Sequence, residues 1–316
     1  MPVEPRSDVV SVMPELARIR DMVRRADYSS VASALLDMHD RDDRLLADAG
    51  GILAEEPGFH ALVDSRLRDV EDDILAQALL AHSHVVGAWR SRGRLAAAQV
   101  PPEDMERFLA QLRSAEQLLI QLCAVEPTWS YPWFLRLITA RGLELGANEA
   151  RRRYERLSTV DPHHHPAQAQ FLQQLCPKWQ GTWEAAEEFT RECVRAARPA
   201  SAEHALLANL HLERWRVLDP QEGKRYLRRE DVLHDLRTSA QASVLHPDHE
   251  RGLSWVRLHS TFGVLFALAG EREDAETHLA ELGDFLDPWV WSCLSAKDYA
   301  KVERIRKALP ARPGVA

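Results

Sequence analysis

Leu157-Ser-Thr-Val-Asp161-Pro162-His-His-His-Pro166, continuing through Lys178-Trp179-Gln180-Gly181-Thr182-Trp183 to Arg198-Pro199, reads as one complete helix-turn-helix unit. Asp161-Pro162 ends one helix. Pro166 suits a first helical turn, where a missing N–H costs nothing. Ala167, Phe171, Leu172, Leu175 and Cys176 recur at helical spacing with Gln168, Gln170, Gln173 and Gln174 between them, which gives one oily face and one wet face. Gly181 permits a sharp turn, and Thr182 predicts the cap of a second helix carrying Trp183, Ala186, Phe189, Cys193 and Ala197. Neither helix buries its stripe alone, so stacking on neighbouring copies is expected, with repetition at a fixed period.

That repetition is present. Ala185, Phe189 and Pro199 close this unit; 35 residues earlier stand Ala150 and Tyr154, with Pro162 near the same offset, and 35 earlier again stand Ala115, Leu119 and Pro127. Downstream, Gly270, Ala275, Leu279 and Pro288 repeat the order, while residues 200 to 247 carry an insertion around Asp219 to Arg229. The pattern resembles the tetratricopeptide repeat, in which a glycine, an alanine, a following aromatic and a closing proline mark each helical pair of about 34 residues. The Leu-Gly signature of the first helix survives cleanly only at Leu145-Gly146, so the repeats are divergent. The expected fold is all-α: an α-solenoid of divergent tetratricopeptide-like hairpins.

Composition bounds the function. Glycine and proline fall mostly between periodic segments, no run alternates usefully with period two, and 45% of residues are hydrophobic. A formal net charge of −8 excludes a general nucleic-acid binder, which needs a basic face. Arginine greatly outnumbers lysine, which fits a GC-rich bacterial genome. Met1-Pro-Val-Glu-Pro-Arg-Ser-Asp8 has no basic region followed by an apolar core, and the oiliest run, Phe262 to Ala269, is far shorter than a bilayer span, so a cytoplasmic protein is expected. Cys123, Cys176, Cys193 and Cys293 lack CxxC spacing and read as free thiols, most on apolar helix faces.

Residues 1–100 read as an N-terminal helical segment without the 35-residue period. A first helix starts near Pro14 with Leu16, Ile19, Met22 and Val23 inward, Asp27 caps a second, and Asp40 to Arg44 reads as a solvated face. Gly50-Gly51 is expected to break a helix, Glu56-Pro57-Gly58 to turn, and a long helix from Asp69 to run through Trp89 to Gly93. Val100-Pro101-Pro102 marks the boundary to repeats over 101–293, and 294–316 supplies a capping helix and tail. Ala88-Trp89-Arg90-Ser91-Arg92-Gly93, Glu126-Pro127, Pro132-Trp133, Thr139-Ala140-Arg141-Gly142-Leu143, Asp161-Pro162-His163-His164, Lys178-Trp179-Gln180-Gly181 and Phe189 together resemble a family of uncharacterised actinobacterial tetratricopeptide-like proteins over residues 80 to 247. The resemblance implies fold and bacterial source and brings no functional residues with it. Where relatives would carry Gly-Gly-Ser after the tryptophan, this chain has Gln180-Gly181-Thr182.

Fourteen histidines are the main chemical candidates. Consecutive ligands diverge at a helix start, so His163-His164-His165 suits a polar corner better than a metal. His246 and His249, around Asp248 and Glu250, are candidate metal ligands in a stretch that equally reads as a helix start capped by Asp248. Asp231-x-x-His234 is half of a carboxylate-bridged motif without a second copy. In His82-x-His84 the two rings face different ways, one toward the core. No phosphate loop, Gly-x-Ser-x-Gly elbow or His-Glu-x-x-His element occurs. The nine tryptophans read as packing residues, Trp289 and Trp291 being the expected exposed ones.

What remains is the concave surface of a solenoid, expected to carry Arg136, Thr139, Gln170, Gln174, His204, His211, Ser254 and Arg257. That mixture suits a protein or peptide partner, with no cofactor, and the expected function is a non-catalytic scaffold or adaptor in a bacterial cytoplasm. The alternative is a metal-dependent enzyme using histidines on the same face. A receptor with a DNA-binding head is disfavoured because residues 1 to 70 hold no basic recognition helix.

Overall fold

Helix starts are set by short polar side chains. Asp27, Asp42, Asp73, Thr182, Asp219, Asp287 and Ser295 each accept a hydrogen bond from a first-turn backbone N–H, so seven otherwise orphaned ends are satisfied locally. The computed structural model describes residues 7–93 and 99–309. Residues 1–6 and the C-terminal tail 310–316 lie outside the described residues, as do 94–98. Among the described residues there are 17 α-helices and no β-strand. No helix among them is long and apolar enough to cross a membrane.

The chain divides into two compact units at Gly181–Thr182. The first, residues 14–181, contains α1 (Pro14–Arg24), α2 (Tyr28–Arg41), α3 (Asp43–Leu53), α4 (Phe59–Asp69), α5 (Ile74–Arg92), α6 (Pro102–Val125), α7 (Ser130–Gly142), α8 (Ala147–Val160) and α9 (His165–Leu175). Consecutive helices pack as neighbours except α3 and α4; α1 also meets α3, α3 meets α5, α7 and α9, α5 meets α7 and α7 meets α9. The Val100-Pro101-Pro102 junction lies inside this unit, with Pro102 opening α6. Its core is the inward stripe of each helix, including Leu16, Leu35, Leu46, Phe59, Leu79 and Phe171.

Gly50-Gly51 does not break a helix: both lie within α3. The glycine is needed for approach, because a Cβ at Gly50 would overlap Tyr131 Oη and come within 2.9 Å of His82 Nδ1. Gly181 likewise is not in the left-handed region, where Gln180 sits instead at φ +67°. A Cβ there would collide with the Leu175 carbonyl. Asp69 ends α4, and the long helix begins at Ile74.

The second unit comprises the described residues of 1–13 and 182–316. It contains α10 (Trp183–Ala196), α11 (Leu206–Trp215), α12 (Pro220–Leu227), α13 (Glu230–Ala242), α14 (Trp255–Ala269), α15 (Arg272–Leu282), the single turn α16 (Pro288–Trp291) and α17 (Ala296–Ala308). Buried at every position except Arg257, α14 packs on α11, α12, α15, α16 and α17. Trp291 is buried and Trp289 half-buried, because α16 folds back onto α14. No helix starts at Asp248; His246 Nδ1 accepts its backbone N–H at 3.1 Å in a turn that precedes α14.

The four repeat alanines are not equivalent. Ala150 and Ala275 are buried near the starts of α8 and α15, Ala115 is buried midway along α6, and Ala185 is half-buried while Ala186 takes the core position.

Candidate functional site

The expected concave residues have separate environments. Arg136 and Thr139, one turn apart on α7, face inward onto Glu116 of α6. Glu116 Oε1 accepts from Arg136 Nη2 at 2.9 Å and Arg153 Nη2 at 2.8 Å; Oε2 accepts from Thr139 Oγ1 at 2.5 Å and Arg153 Nη1 at 3.0 Å. Two guanidiniums over one carboxylate leave a positive excess, and Glu149 offsets it by accepting from Arg153 Nε at 2.7 Å. Hydrogen bonds from Arg152, and then from Arg153 against the opposing pull of burial, hold the Glu149 carboxyl down to about 2. Arg136 and Thr139 are therefore internal structure.

In the second unit His211 is also buried, at 4% exposure. Its Nδ1 lies 2.6 Å from Tyr226 Oη and its Nε2 lies 3.3 Å from Asp235 Oδ2, which in turn accepts from Arg191 at 2.9 Å. Burial alone would raise Asp235; hydrogen bonds from His211 and Arg191 outweigh it and hold the carboxyl below its usual range. Burial pushes the Tyr226 phenol up to about 12, so it stays protonated at neutral pH. The half-buried His204 lies 3.1 Å from the Arg198 carbonyl through Nε2. Ser254 precedes α14, and exposed Arg257 pairs with Asp287 at 3.1 Å while stacking over Trp289.

The histidine corner is interior too. His164 and His165 are buried at the start of α9, and burial pushes both rings down to about 4. His164 Nδ1 accepts the Ala167 N–H, so the neutral ring carries its proton on Nε2. Arg44 reaches this corner by donating to the His163 carbonyl at 3.1 Å. The Asp40 to Arg44 run is more than a wet face: Asp43 accepts from Ser130 Oγ and lies 2.7 Å from His39 Nδ1. That order puts the carboxylate, and not the imidazole, on the Ser130 hydroxyl, so the serine–histidine–carboxylate order of the acyl-transfer triad is not formed. Among the described residues no three His, Cys, Asp or Glu side chains gather closely enough to hold a metal ion. His249 Nδ1 donates instead to the Ala200 carbonyl at 2.7 Å.

Three separated stretches converge about 11 residues further along α7, roughly 16 Å by helix rise from Ser130. Arg141 donates from Nη1 and Nη2 to the backbone carbonyl and side-chain oxygen of Gln170, at 3.1 and 2.7 Å. Its guanidinium lies 5.4 Å from the Trp89 ring and 5.8 Å from the Trp179 ring, and those two indoles meet edge to face at 6.0 Å. Gly142 keeps the neighbourhood tight, since a Cβ there would strike Leu112 and Phe108. Gln174 donates from Nε2 to the Trp179 carbonyl at 3.2 Å.

Among the described residues, the buried Trp89 Nε1 and Gln174 Oε1 have no hydrogen-bond partner. Comparison with known proteins found no matching family model, no matching curated protein and no matching solved structure. The cluster therefore stands on its own chemistry. Sequence reading named Gln170 and Gln174 but missed Arg141, Trp89 and Trp179 as a group. The available signal was the set of Trp-Arg-rich motifs, read only as marks of resemblance.

Proposed function

We propose that this chain is a non-catalytic helical-repeat scaffold, a divergent tetratricopeptide-like solenoid that holds a protein or peptide partner. The observation that carries this reading is the packing of alternate helices in residues 14–181, where α3 contacts α5, α5 contacts α7 and α7 contacts α9. Such stacking leaves a row of successive first helices whose ends present side chains to a ligand. The bacterial cytoplasm and kinship with actinobacterial tetratricopeptide-like proteins belong to the same proposal.

Affinity capture from the native organism tests the reading, using wild type beside Gln170→Ala/Gln174→Ala, with circular dichroism to confirm that both fold. A polypeptide retained by wild type and lost by the variant is expected. Identical retained sets would contradict placement of the partner at α9. Arg136→Glu is unsuitable, because it sets a carboxylate against buried Glu116.

A further inference from the structure

The last turn of α14 gathers cations from two other helices. α12 and α17 both pack on α14. Gly270 closes α14 in the left-handed region at φ +99°, and the N–H groups of Gly270 and Glu271 return to the Phe266 and Ala267 carbonyls. The next two carbonyls are met from outside. Lys301 Nζ donates to the Leu268 carbonyl at 3.0 Å, and Arg228 Nε donates to the Ala269 carbonyl at 2.9 Å. Lys224 stands one helical turn before Arg228, the residue that ends α12.

Capping these carbonyls accounts for one donor on Lys301 and one on Arg228. It leaves over both Nη groups of Arg228, the rest of the Lys301 ammonium and the whole of Lys224. Among the described residues none of these three side chains pairs with a carboxylate. Arg237, which reaches the residue after Gly270, shows the contrasting arrangement, held by both Glu271 and Asp274. Burial, then repulsion from Arg228 and Lys224, holds the Lys301 ammonium below its ordinary range, with Asp298 pulling the other way. Positive charge therefore outweighs negative at this point of a chain whose net charge is −8. Lys224 and Arg228 are exposed and Lys301 is half-buried, so a solute reaches the cluster directly from water.

We propose that Lys224, Arg228 and Lys301 form a binding site for a phosphomonoester-type dianion, as the free anion or as an ester. The Nε bond to Ala269 fixes the Arg228 fork, whose two Nη groups match two oxygens of one anion. The ammoniums of Lys224 and Lys301 match a third. A carboxylate fills only the fork, and a phosphodiester brings a single charge to three cations. A phosphomonoester offers three acceptor oxygens and about −1.5 to −2 of charge at pH 7. All three cations belong to the second unit, so the site does not depend on the scaffold reading of residues 14–181.

Lysine occurs only at positions 178, 224, 297, 301 and 307, so full-length protein labelled with 13C at lysine Cε gives a short spectrum that single substitutions assign. Inorganic phosphate, phenyl phosphate and dimethyl phosphate are titrated at neutral pH and constant ionic strength, with sodium chloride as the reference. Saturable shifts of Lys224 and Lys301, absent from Lys178 and Lys297, are expected with inorganic phosphate or phenyl phosphate. The tighter of the two identifies the free anion or its ester as the source. Lys224→Gln and Arg228→Gln should each weaken that affinity about tenfold or more. Lys224 bonds to no described residue, so Lys224→Gln should keep the wild-type thermal midpoint even if Arg228→Gln, which loses the Ala269 contact, does not. Dimethyl phosphate binding as tightly as phenyl phosphate would overturn the site. So would shifts that do not saturate, shifts alike at all five lysines, or an affinity unchanged in Lys224→Gln.

Discussion

The Glu116 carboxylate grips the Arg153 guanidinium with both oxygens, at 2.8 and 3.0 Å, and the same carboxylate also holds Arg136. Arg153 is 3% exposed, so this charge is paid for by its partners and not by water. Breaking one member of a buried ionic group costs about 3–5 kcal/mol, whereas replacing the whole group by apolar side chains is often neutral. Glu116→Gln should therefore lower the urea midpoint sharply, and Glu116→Leu/Arg136→Met/Arg153→Met should recover most of the loss. A triple variant as unstable as the single one would show that the network contributes net stability.

Gly50 lies against two rings from other helices, Tyr131 and His82, whose Oη and Nδ1 are 2.8 Å apart. Gly50→Ala should destabilise by about 1–3 kcal/mol through overpacking. Gly51→Ala, whose Cβ would come no closer than 3.3 Å to the edge of His82, should cost much less. Adding Tyr131→Phe to Gly50→Ala should recover part of the loss, because the overlapping hydroxyl is gone. Chemical denaturation of the three variants checks the order.

These two sites show what a single sequence carries. Helical periodicity located α1 through Leu16, Ile19 and Val23, and the caps at Asp27 and Thr182 were readable because their partners lie three residues away. Gly50 and Gly181 read as turn residues, yet both are explained by neighbours that only folding brings near. Arg136 and Thr139 read as a wet face because their partner Glu116 is 20 and 23 residues distant. Trp89, Arg141 and Trp179 were visible as motifs, but their mutual contact was not. Local chemistry is written in spacing; long-range pairing is not.

Acid should unfold the protein early. Burial pushes His82 and His278 down to about 3, and His164, His165 and His259 to about 4. Each folded value lies below the unfolded value of about 6.5, so the unfolded chain binds more protons in between. Stability should be full above about pH 6.5 and fall as pH drops toward 4, with Glu149 adding further loss below its ordinary range. His259 and His278 also share one Nδ1 to Nδ1 contact at 3.1 Å, which protonation of both rings breaks. Denaturation midpoints at pH 4.5, 5.5, 6.5 and 7.5 should rise and then level, with a shallower rise in His259→Leu/His278→Phe. Midpoints constant across the range would contradict the buried neutral rings.

Arg141 should not tolerate lysine. A lysine keeps the charge but cannot make the paired contacts to Gln170 or stack flat between two indoles. Arg141→Lys is expected to cost about 1–3 kcal/mol and to change tryptophan emission, read by fluorescence-monitored urea unfolding. Unchanged emission and midpoint would mean that the guanidinium does not organise the two rings.

Thiol reactivity reads out burial in both units. Burial pushes Cys123 up to about 11, and Cys176 and Cys193 are buried as well, whereas Cys293 is half-exposed. One cysteine should react readily with a disulfide reagent in the native protein, and Cys293→Ser should abolish that fast phase.

The most direct measurement of the scaffold account is site-specific photocrosslinking in the native organism, with benzoylphenylalanine at Trp179 and, as a control, at exposed Ile120 on α6. The account predicts a discrete crosslinked polypeptide from position 179, absent from position 120 and weakened by Gln174→Leu. No adduct at 179, or the same adducts from both positions, would contradict it.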